Sequence, residues 1–340
     1  MKKMETKAIA FNTGFALIEG NHFEEIMWQT ESLSPLDVLV EVHAISVNPV
    51  DTKLRQSAST DQWRVLGFDA VGEIIECGSD VSDFSIGDMI MYSGTEKRAG
   101  SYAEHQVVDS RIVANIPKNI SIEEAAALPL TSITAYEVLF EKLGLIPEEN
   151  GNLDENILIV NGAGGVGSIA IQLAKWAGLN VLATASRPET SQWIKQMGAD
   201  ISLDHRKDLV EQMRELNLTE MKRILLLHST DYYFESMAHF LAPFGHLASI
   251  VATTEPVNLS ILKNKSASFD WEFMFAKTNY DYQIDSQGEI LKIIAQLIDD
   301  KKIVSTHTTT LEGLSSQTIF EAHRLLETNR TLGKIVIRVK

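Results

Sequence analysis

Hydrophobic and polar positions alternate in short runs through the first third of the chain. These runs are rich in β-branched residues and are separated by Gly, Asp, Asn and Ser, which is typical of strands joined by tight turns. We predict strands at residues 6–11, 37–47, 70–76, 89–92 and 103–108. This region therefore predicts a compact, mostly antiparallel β domain.

The pattern changes near residue 120, where Ser121 precedes Glu123 and Glu124 as the N-cap of a helix. From Asn156 onward, apolar strand-like runs alternate with stretches of helical periodicity. We predict strands at 157–160, 180–185, 223–228 and 245–252, helices at 167–176, 188–197, 207–216 and 233–241, then helices at 286–299 and 316–327 and a closing strand at 334–339. The repeated β-α-β order predicts a doubly wound parallel sheet, so the fold class is α/β.

Length and charge narrow the classes of partner. The 340 residues are enough for about two domains. There are 30 Lys and Arg against 46 Asp and Glu, a net charge of −16, which disfavours nucleic acid and anionic membrane surfaces. The single cysteine, Cys77, fits a reducing compartment, and residues 1–5 lack the apolar core of a signal peptide. We expect a cytoplasmic protein that acts on a small molecule.

A glycine-rich turn follows the strand at 157–160. Glycines allow a tight turn and a close approach of backbone amides to a pyrophosphate, and the N-terminus of the following helix favours an anion. A turn without a ligand is the alternative, but the strand-turn-helix-strand context favours a dinucleotide site. The expected cofactor contacts are Gly162, Gly164, Gly165, Val166 and Gly167 in the turn, with His228, Ser229 and Val251 at later strand ends.

The strand that follows the glycine helix indicates which dinucleotide is bound. An NAD site expects a carboxylate about 20 residues after the glycines, whereas an NADP site needs a cation for the 2′-phosphate. This strand runs into Ser186 and Arg187, and the first carboxylate is Glu189. Ser186 could instead be a helix N-cap and Arg187 a solvated side chain. We predict binding of NADPH rather than NADH.

Several further motifs occur along the chain in a fixed order. They are Val47-Asn48-Pro49-Val50-Asp51, the run 66–74 with Gly78 and Gly87-Asp88, Gly100-Ser101-Tyr102-Ala103-Glu104, the run 125–136 and the glycine turn. Together they resemble the medium-chain dehydrogenase/reductase superfamily, and within it the zinc-free quinone-oxidoreductase-like branch. The similarity covers nearly the whole chain, and a subgroup often called zinc-binding alcohol dehydrogenase family proteins shares two further runs, 271–275 and 333–336.

The resemblance implies a domain organisation. It implies a GroES-like catalytic β domain at 1–127, a Rossmann dinucleotide-binding domain at 128–275 and a C-terminal segment at 276–340 that returns to the catalytic domain. It also implies a homodimer formed by the edges of the nucleotide-binding sheets, through the strands around 245–252 and 266–271. An apolar edge strand that would otherwise be exposed agrees with this assembly.

Metal-dependent relatives carry a cysteine in the segment equivalent to 48–51 and a histidine at the position of Phe68. We therefore predict that the chain holds no zinc. The resemblance places the catalytic residues at Asn48, Asp51, Lys53, Tyr92 and Thr131, with Lys53 where quinone oxidoreductases often have Tyr. The structural alternatives are a simple turn at 48–51, a solvated cation for Lys53 and a packed edge residue for Tyr92.

The expected activity is hydride transfer from NADPH to a quinone or another α,β-unsaturated carbonyl without a metal. Two alternatives stay open: a zinc-type alcohol or aldehyde dehydrogenase with unexpected ligands, and an NADPH-binding sensor or structural protein without turnover. The aromatic run at 271–275 is either the floor of an apolar acceptor pocket or part of a core or dimer interface.

Overall fold

The computed structural model describes residues 3–57 and 62–340. The chain divides into two compact units. Unit 1 comprises the described residues of Met1–Leu130 together with Phe275–Lys340, and unit 2 comprises Thr131–Met274.

Strands and helices follow one another along both units. The strands are β1 (Glu5–Phe11), β2 (Glu24–Gln29), β3 (Asp37–Ser46), β4 (Arg64–Val65), β5 (Asp69–Cys77), β6 (Met89–Ser93), β7 (His105–Asp109), β8 (Val113–Asn115), β9 (Asn156–Val160), β10 (Asn180–Thr184), β11 (Ile201–Leu203), β12 (Met221–Leu226), β13 (Leu241–Ser249), β14 (Ser268–Trp271), β15 (His307–Glu312) and β16 (Lys334–Arg338). The α-helices are α1 (Pro49–Ser57), α2 (Ile122–Ala126), α3 (Pro129–Tyr136), α4 (Gly165–Trp176), α5 (Pro188–Gln196), α6 (Leu209–Glu215), α7 (Thr230–Phe240), α8 (Ser260–Lys263), α9 (Ala276–Asn279), α10 (Asp285–Asp299) and α11 (Ser316–Glu327). A π-helical turn, Glu137–Lys142, continues directly from α3.

Unit 1 is built on two sheets. The larger has the order β15-β16-β3-β5-β6-β8, with β7 also paired to β3, and the smaller has the order β2-β1-β4. All strand pairs in the described part of unit 1 are antiparallel except β15 with β16. Inward-facing side chains of both sheets, such as Ile9, Val40 and Ile74, are fully buried in one apolar cluster. The prediction of a mostly antiparallel β domain is confirmed.

Unit 2 is built on a parallel sheet with the order β11-β10-β9-β12-β13-β14. The chain moves outward from β9 to β11, then crosses back to β12 and moves outward in the other direction. Right-handed crossovers in opposite directions place helices on both faces of such a sheet. The prediction of a doubly wound α/β fold is confirmed, and the order reverses between β9 and β12.

Some elements differ from the prediction. No helix was predicted after Asn48, where a simple turn was the alternative to a catalytic role, but this segment forms helix α1, with Pro49 at its first position, where the missing N–H is not needed. Strand β2 was not predicted, because its side chains are exposed or half-buried and give no apolar signal. Strand β13 begins at Leu241 rather than at 245, and its register against β12 shifts between Met221 and Arg223.

The N-terminus of α2 agrees with the prediction. Ser121 Oγ accepts a hydrogen bond from the Glu124 N–H at 3.2 Å, and the Glu124 carboxylate accepts one from the Ser121 N–H at 2.8 Å. This reciprocal pair is a capping box. Within residues 3–57 and 62–340, no helix has the length and apolar character needed to cross a membrane.

Candidate functional site

The glycine turn of unit 2 lies between β9 and α4. Asn161 has a φ of +69°, and its N–H donates to Thr184 Oγ1 at 2.8 Å. The Gly162 N–H donates to the Thr184 carbonyl at 3.0 Å. The turn is therefore tied to the end of β10, the neighbouring strand.

Two glycines of this turn differ in the space that a side chain would have. A Cβ on Gly167 would lie 2.7 Å from the backbone of Gly162, so only glycine allows this approach of helix to strand. A Cβ on Gly164 would meet no atom within 4 Å, which means that open space lies beside the N-cap of α4.

The first N–H groups of α4 face no capping side chain. Unpaired N–H groups and the helix dipole favour an anion at such an end. The turn therefore has room and polarity for the pyrophosphate of a dinucleotide, and the residues fit that group.

The end of β10 carries Ser186 and Arg187, both partly exposed. Arg187 Nε lies 3.0 Å from Glu189 Oε1, and the Arg187 N–H donates to Thr190 Oγ1 at 3.0 Å. The residue that caps α5 is therefore Arg187 and not Ser186, which excludes the reading of Ser186 as an N-cap.

Later strand ends hold the other predicted cofactor contacts. His228 is exposed, and Ser229 has a φ of +47° directly before α7. Thr230 Oγ1 donates to the Val251 carbonyl at 2.5 Å and lies 2.6 Å from Ser249 Oγ. These contacts fix the loops after β12 and β13 to each other, both at the carboxyl edge of the sheet, where doubly wound folds bind ligands.

The sequence pattern did not indicate His205 as a site residue. It follows β11 and is half-buried, with Nδ1 at 3.1 Å from Thr184 Oγ1. A polar residue after the third strand was the only signal in the sequence, and Asp204 and Arg206 beside it gave the same signal.

Unit 1 contains a closed cluster of buried polar side chains: Asn48, Asp51, Asp69 and Lys334. Lys334 Nζ donates to Asn48 Oδ1 at 2.5 Å, to Asp69 Oδ2 at 2.9 Å and to the Val47 carbonyl at 3.2 Å. Asn48 Nδ2 donates to Asp69 Oδ2 at 2.9 Å, and Asp69 Oδ1 accepts from the Leu130 N–H at 2.6 Å. The three ammonium protons and the Asn48 amide are thus used within the cluster.

Asp51 connects this cluster to two backbone segments. Its carboxylate accepts the Asn48 N–H at 2.7 Å and the Gly67 N–H at 3.1 Å. Burial raises the pKa of Asp51 to about 7, although these N–H donors and the nearby Lys334 act in the opposite direction. Asp51 therefore holds the turn before α1 against the turn before β5.

A second buried network lies beside Asp51 and was not predicted. Tyr102 Oη lies 3.0 Å from His323 Nε2, and His323 Nδ1 lies 3.3 Å from Arg55 Nη1. Because a guanidinium can only donate, Nδ1 accepts and the neutral ring carries its proton on Nε2. Burial and Arg55 lower the pKa of His323 to about 3, and burial and the Asp51 carboxylate raise that of Tyr102. Distant positions in the sequence supply these groups, so no local pattern indicates them.

The remaining predicted catalytic residues lie in different environments. Lys53 is exposed on α1, and Thr131 is buried on α3. Tyr92 is fully buried in the apolar cluster of unit 1, and its hydroxyl donates to Gln106 Oε1 at 2.9 Å. Tyr92 thus has the surroundings of a packed core residue.

The aromatic run is divided between the two units. In unit 2, Trp271 and Phe273 are 45% and 49% exposed, while Met274 is buried. In unit 1, Phe275 packs on Phe68, with ring centroids 4.5 Å apart. Burial, and then the neighbouring Glu137 carboxyl, raises the pKa of Glu272.

Zinc does not fit the residues at the positions where metal-dependent relatives place ligands. Phe68 offers no donor atom and packs on an aromatic ring. The oxygens of Asn48 and Asp69 that could ligate a cation accept hydrogen bonds from the Lys334 ammonium. Among the residues that the structure describes, no group of three or more His, Cys, Asp or Glu side chains is arranged for a metal ion.

The fold and the glycine turn define a nucleotide-binding α/β protein joined to a β domain. The chain matches the family model for the alcohol dehydrogenase GroES-like domain at residues 34–118 and that for zinc-binding dehydrogenase at residues 165–286. It is 43% identical over 335 residues to a zinc-type alcohol dehydrogenase-like protein of Staphylococcus epidermidis, covering 98% of this chain and 100% of that one.

Two solved structures extend the comparison. One is a Rhizobium etli protein whose name places it among zinc-dependent alcohol dehydrogenases, with 36% identity, a TM-score of 0.93 and 99% coverage of both chains. The other is the quinone oxidoreductase of Coxiella burnetii, with 27% identity, a TM-score of 0.83 and coverage of 99% of this chain and 100% of that one. The chain belongs to the medium-chain dehydrogenase/reductase superfamily, and it is an oxidoreductase of that superfamily.

Proposed function

We propose that the chain is an NADPH-dependent reductase that transfers hydride to a quinone or another α,β-unsaturated carbonyl without a metal. The observation that carries this proposal is the cradle at Gly164, open beside the N-terminus of α4, together with Arg187 at the end of the next strand. The similarity to a quinone oxidoreductase supports the class of acceptor.

The residues of unit 2 have separate tasks in this proposal. The N–H groups of residues 164–167 bind the pyrophosphate, and Ser186 and Arg187 bind the 2′-phosphate. His228, Ser229 and Val251 contact the cofactor further along the carboxyl edge. Bound NADPH supplies the hydride, and the chain supplies binding, orientation and hydrogen bonds.

The proposed reaction uses no Lewis acid, because the side chains of unit 1 do not fit a metal ion. Lys334 engages the oxygens of Asn48 and Asp69, and Phe68 supplies no ligand. Reduction of a conjugated carbonyl spreads the developing charge onto an oxygen that hydrogen-bond donors can stabilise. We therefore propose a conjugated acceptor rather than a simple alcohol or aldehyde.

The predicted catalytic residues divide into two groups in this proposal. Asn48 and Asp51 are positioning residues, because their polar atoms hold the turns around α1. Lys53, exposed on the same helix, and Thr131 stay as candidates for direct contact with the acceptor or the cofactor. Tyr92 is left out, because its side chain is enclosed in the core.

Two alanine variants of the glycine turn test the cofactor site. Gly164→Ala adds a methyl group to open space, so we expect unchanged thermal stability but at least ~10-fold weaker NADPH binding, the loss of about one charge-assisted hydrogen bond. Gly167→Ala forces the methyl group against the backbone of Gly162, so stability falls as well. Undiminished NADPH binding by Gly164→Ala would contradict the proposed cradle.

An acceptor screen tests the reaction. NADPH oxidation is followed with quinones, enones, aldehydes and no acceptor, and the reverse reaction is followed with alcohols. We expect turnover with quinones or enones only. Tight NADPH binding with no turnover would favour the sensor alternative, and chelator-sensitive alcohol oxidation would favour the zinc-type dehydrogenase.

We also propose a cytoplasmic homodimer. Strand β14 is at the end of the order of the parallel sheet, and Trp271 on it is 45% exposed. An edge strand with an exposed aromatic side chain is suited to pairing with a second copy. The acidic composition and the single cysteine support the cytoplasm.

A further inference from the structure

Thr184, the last residue of β10, connects the glycine turn to His205. Its Oγ1 accepts the Asn161 N–H at 2.8 Å and lies 3.1 Å from His205 Nδ1. Thr184 is fully buried, while His205 is half-buried after β11. The imidazole is thus held at the carboxyl edge of the sheet with Nε2 as its second polar atom.

Arg187 and His205 follow the ends of two neighbouring strands. Strands β10 and β11 are parallel neighbours, with Thr184 opposite Leu203, so both residues follow adjacent strand ends. Arg187 is three residues after Thr184, so their Cα atoms are at most ~11 Å apart in an extended chain. The long side chain of Arg187 can span part of this distance. This spacing allows one phosphate to contact both side chains.

The charged side chains that follow β10 and β11 form ion pairs. Arg187 pairs with Glu189, and the Arg206 guanidinium donates to both oxygens of Asp204 at 3.0 Å. His205 instead bonds to a neutral hydroxyl. Among residues 3–57 and 62–340, the titratable and charged groups that act on it are Asp204 and Arg206 on its own turn and His228 on the turn after β12.

The protonation state of the unliganded ring follows from these surroundings. Burial lowers the pKa of His205, with smaller contributions in the same direction from His228 and Arg206 against the opposing Asp204. At pH 7 the ring is therefore mainly neutral without ligand. A nearby phosphate, which carries about −1.5 to −2 charges at pH 7, reverses this balance.

We propose that His205 is a specificity-determining residue that takes up a proton from solvent when the 2′-phosphate of NADPH binds. The imidazolium then donates its Nε2–H to a phosphate oxygen and its Nδ1–H to Thr184 Oγ1, which can accept both this bond and that of Asn161. NADH carries a hydroxyl at this position and provides no charge for the imidazolium. This inference rests on the proposed NADPH site.

A consequence is that cofactor preference depends on pH. Protonation of His205 is favoured in the NADPH complex, so NADPH affinity decreases as pH rises through the range between the free and bound titrations. NADH affinity stays constant over that range. Preference for NADPH is thus strongest on the acidic side.

Calorimetric titration of the full chain at pH 7 tests this inference. NADPH and NADH are each titrated in two buffers that differ in ionisation enthalpy, which gives the number of protons taken up on binding. We expect NADPH to take up a measurable fraction of a proton more than NADH. His205→Gln retains a hydrogen-bonding group but cannot ionise, so it removes this difference and weakens NADPH binding about 10-fold, with NADH unchanged. His239→Gln, an exposed site on α7, is the matched control and should retain the difference.

The outcomes separate this inference from the proposed function. Preference for NADPH with the same proton uptake in His205→Gln would overturn the role of His205 and leave the cofactor intact. Equal binding of NADPH and NADH by the unaltered protein would overturn both.

Discussion

Replacing Lys334 by methionine should strongly destabilise unit 1. The Lys334 side chain is 4% exposed and its partner Asp69 is 0% exposed, so the ion pair between them is screened very little by solvent. Lys334→Met removes the ammonium but leaves the carboxylate buried. Removing one partner of a buried pair costs about 3–5 kcal/mol, because the other charge is left uncompensated.

Two further variants show whether the cost comes from the unpaired charge. Asp69→Asn added to Lys334→Met should recover part of the loss, since the neutral amide no longer needs a cation. Recovery stays incomplete, because one amide oxygen cannot replace two carboxylate oxygens that accept from Leu130 and Asn48. Lys340→Met, which removes a half-exposed ammonium paired with Glu41, is the control and should cost less than about 1 kcal/mol.

Hydrogen exchange gives a local measurement for each unit. Exchange of β16 amides in Lys334→Met should accelerate by ~100-fold, the equivalent of about 3 kcal/mol, with β9 of unit 2 as the internal reference. A single variant no worse than Lys340→Met, or a double variant no better than the single one, would refute the assignment of the cost to a buried, uncompensated charge.

Four other results are expected. Arg187→Ala should weaken NADPH binding by about 1.5–3 kcal/mol and leave NADH nearly unchanged, as measured by titration. Elemental analysis should find well under one zinc per chain, with activity insensitive to chelators. Light scattering at micromolar concentration should show a dimer, and a strict monomer would contradict pairing through β14. On folding, the pKa of Asp51 rises from 3.8 to about 7, so the folded state binds the extra proton. The free energy of unfolding should therefore fall by up to ~4 kcal/mol as pH rises through that window. Asp51→Asn should flatten this loss in unfolding experiments.

The sequence was most informative where a continuous apolar run marks a strand that is buried on both faces. The strands of unit 2 have continuous apolar runs because both faces of a parallel sheet are covered, so β9, β10 and β12 were predicted within two residues. Strand β2 carries no such run, and β15 alternates only between half-buried and exposed residues. Their pairing partners stabilise them, and that information is not local.

Helix α1 shows a different limit of local reasoning. Its segment contains Pro49 and short polar residues, which are typical of a turn. The structure makes it helical because the Asp51 carboxylate accepts the Asn48 N–H at the helix start, and Arg55 is enclosed by α11 through its bond to Glu327. The second contact joins residues 272 positions apart, so it could not be seen in the sequence.

Local sequence likewise predicted one part of the candidate site and not the other. The glycine turn was predictable, because the backbone itself forms it and the residue type follows from the space around each Cα. The unit 1 cluster was predicted only as a set of isolated polar residues near position 50, while Lys334 and His323 come from the last twenty residues of the chain. Without these partners, Asn48 and Asp51 resemble catalytic groups that are free to meet a substrate.

The polar cluster of unit 1 changes how the motif around Asn48 should be interpreted. A catalytic amide or carboxylate needs hydrogen-bonding capacity left for the reacting atoms. Asn48 donates to Asp69 and accepts from Lys334, and Asp51 accepts from two backbone N–H groups. These side chains therefore fix backbone geometry, whereas a side chain that donates to a substrate needs an accessible polar atom, as the exposed Lys53 on α1 has.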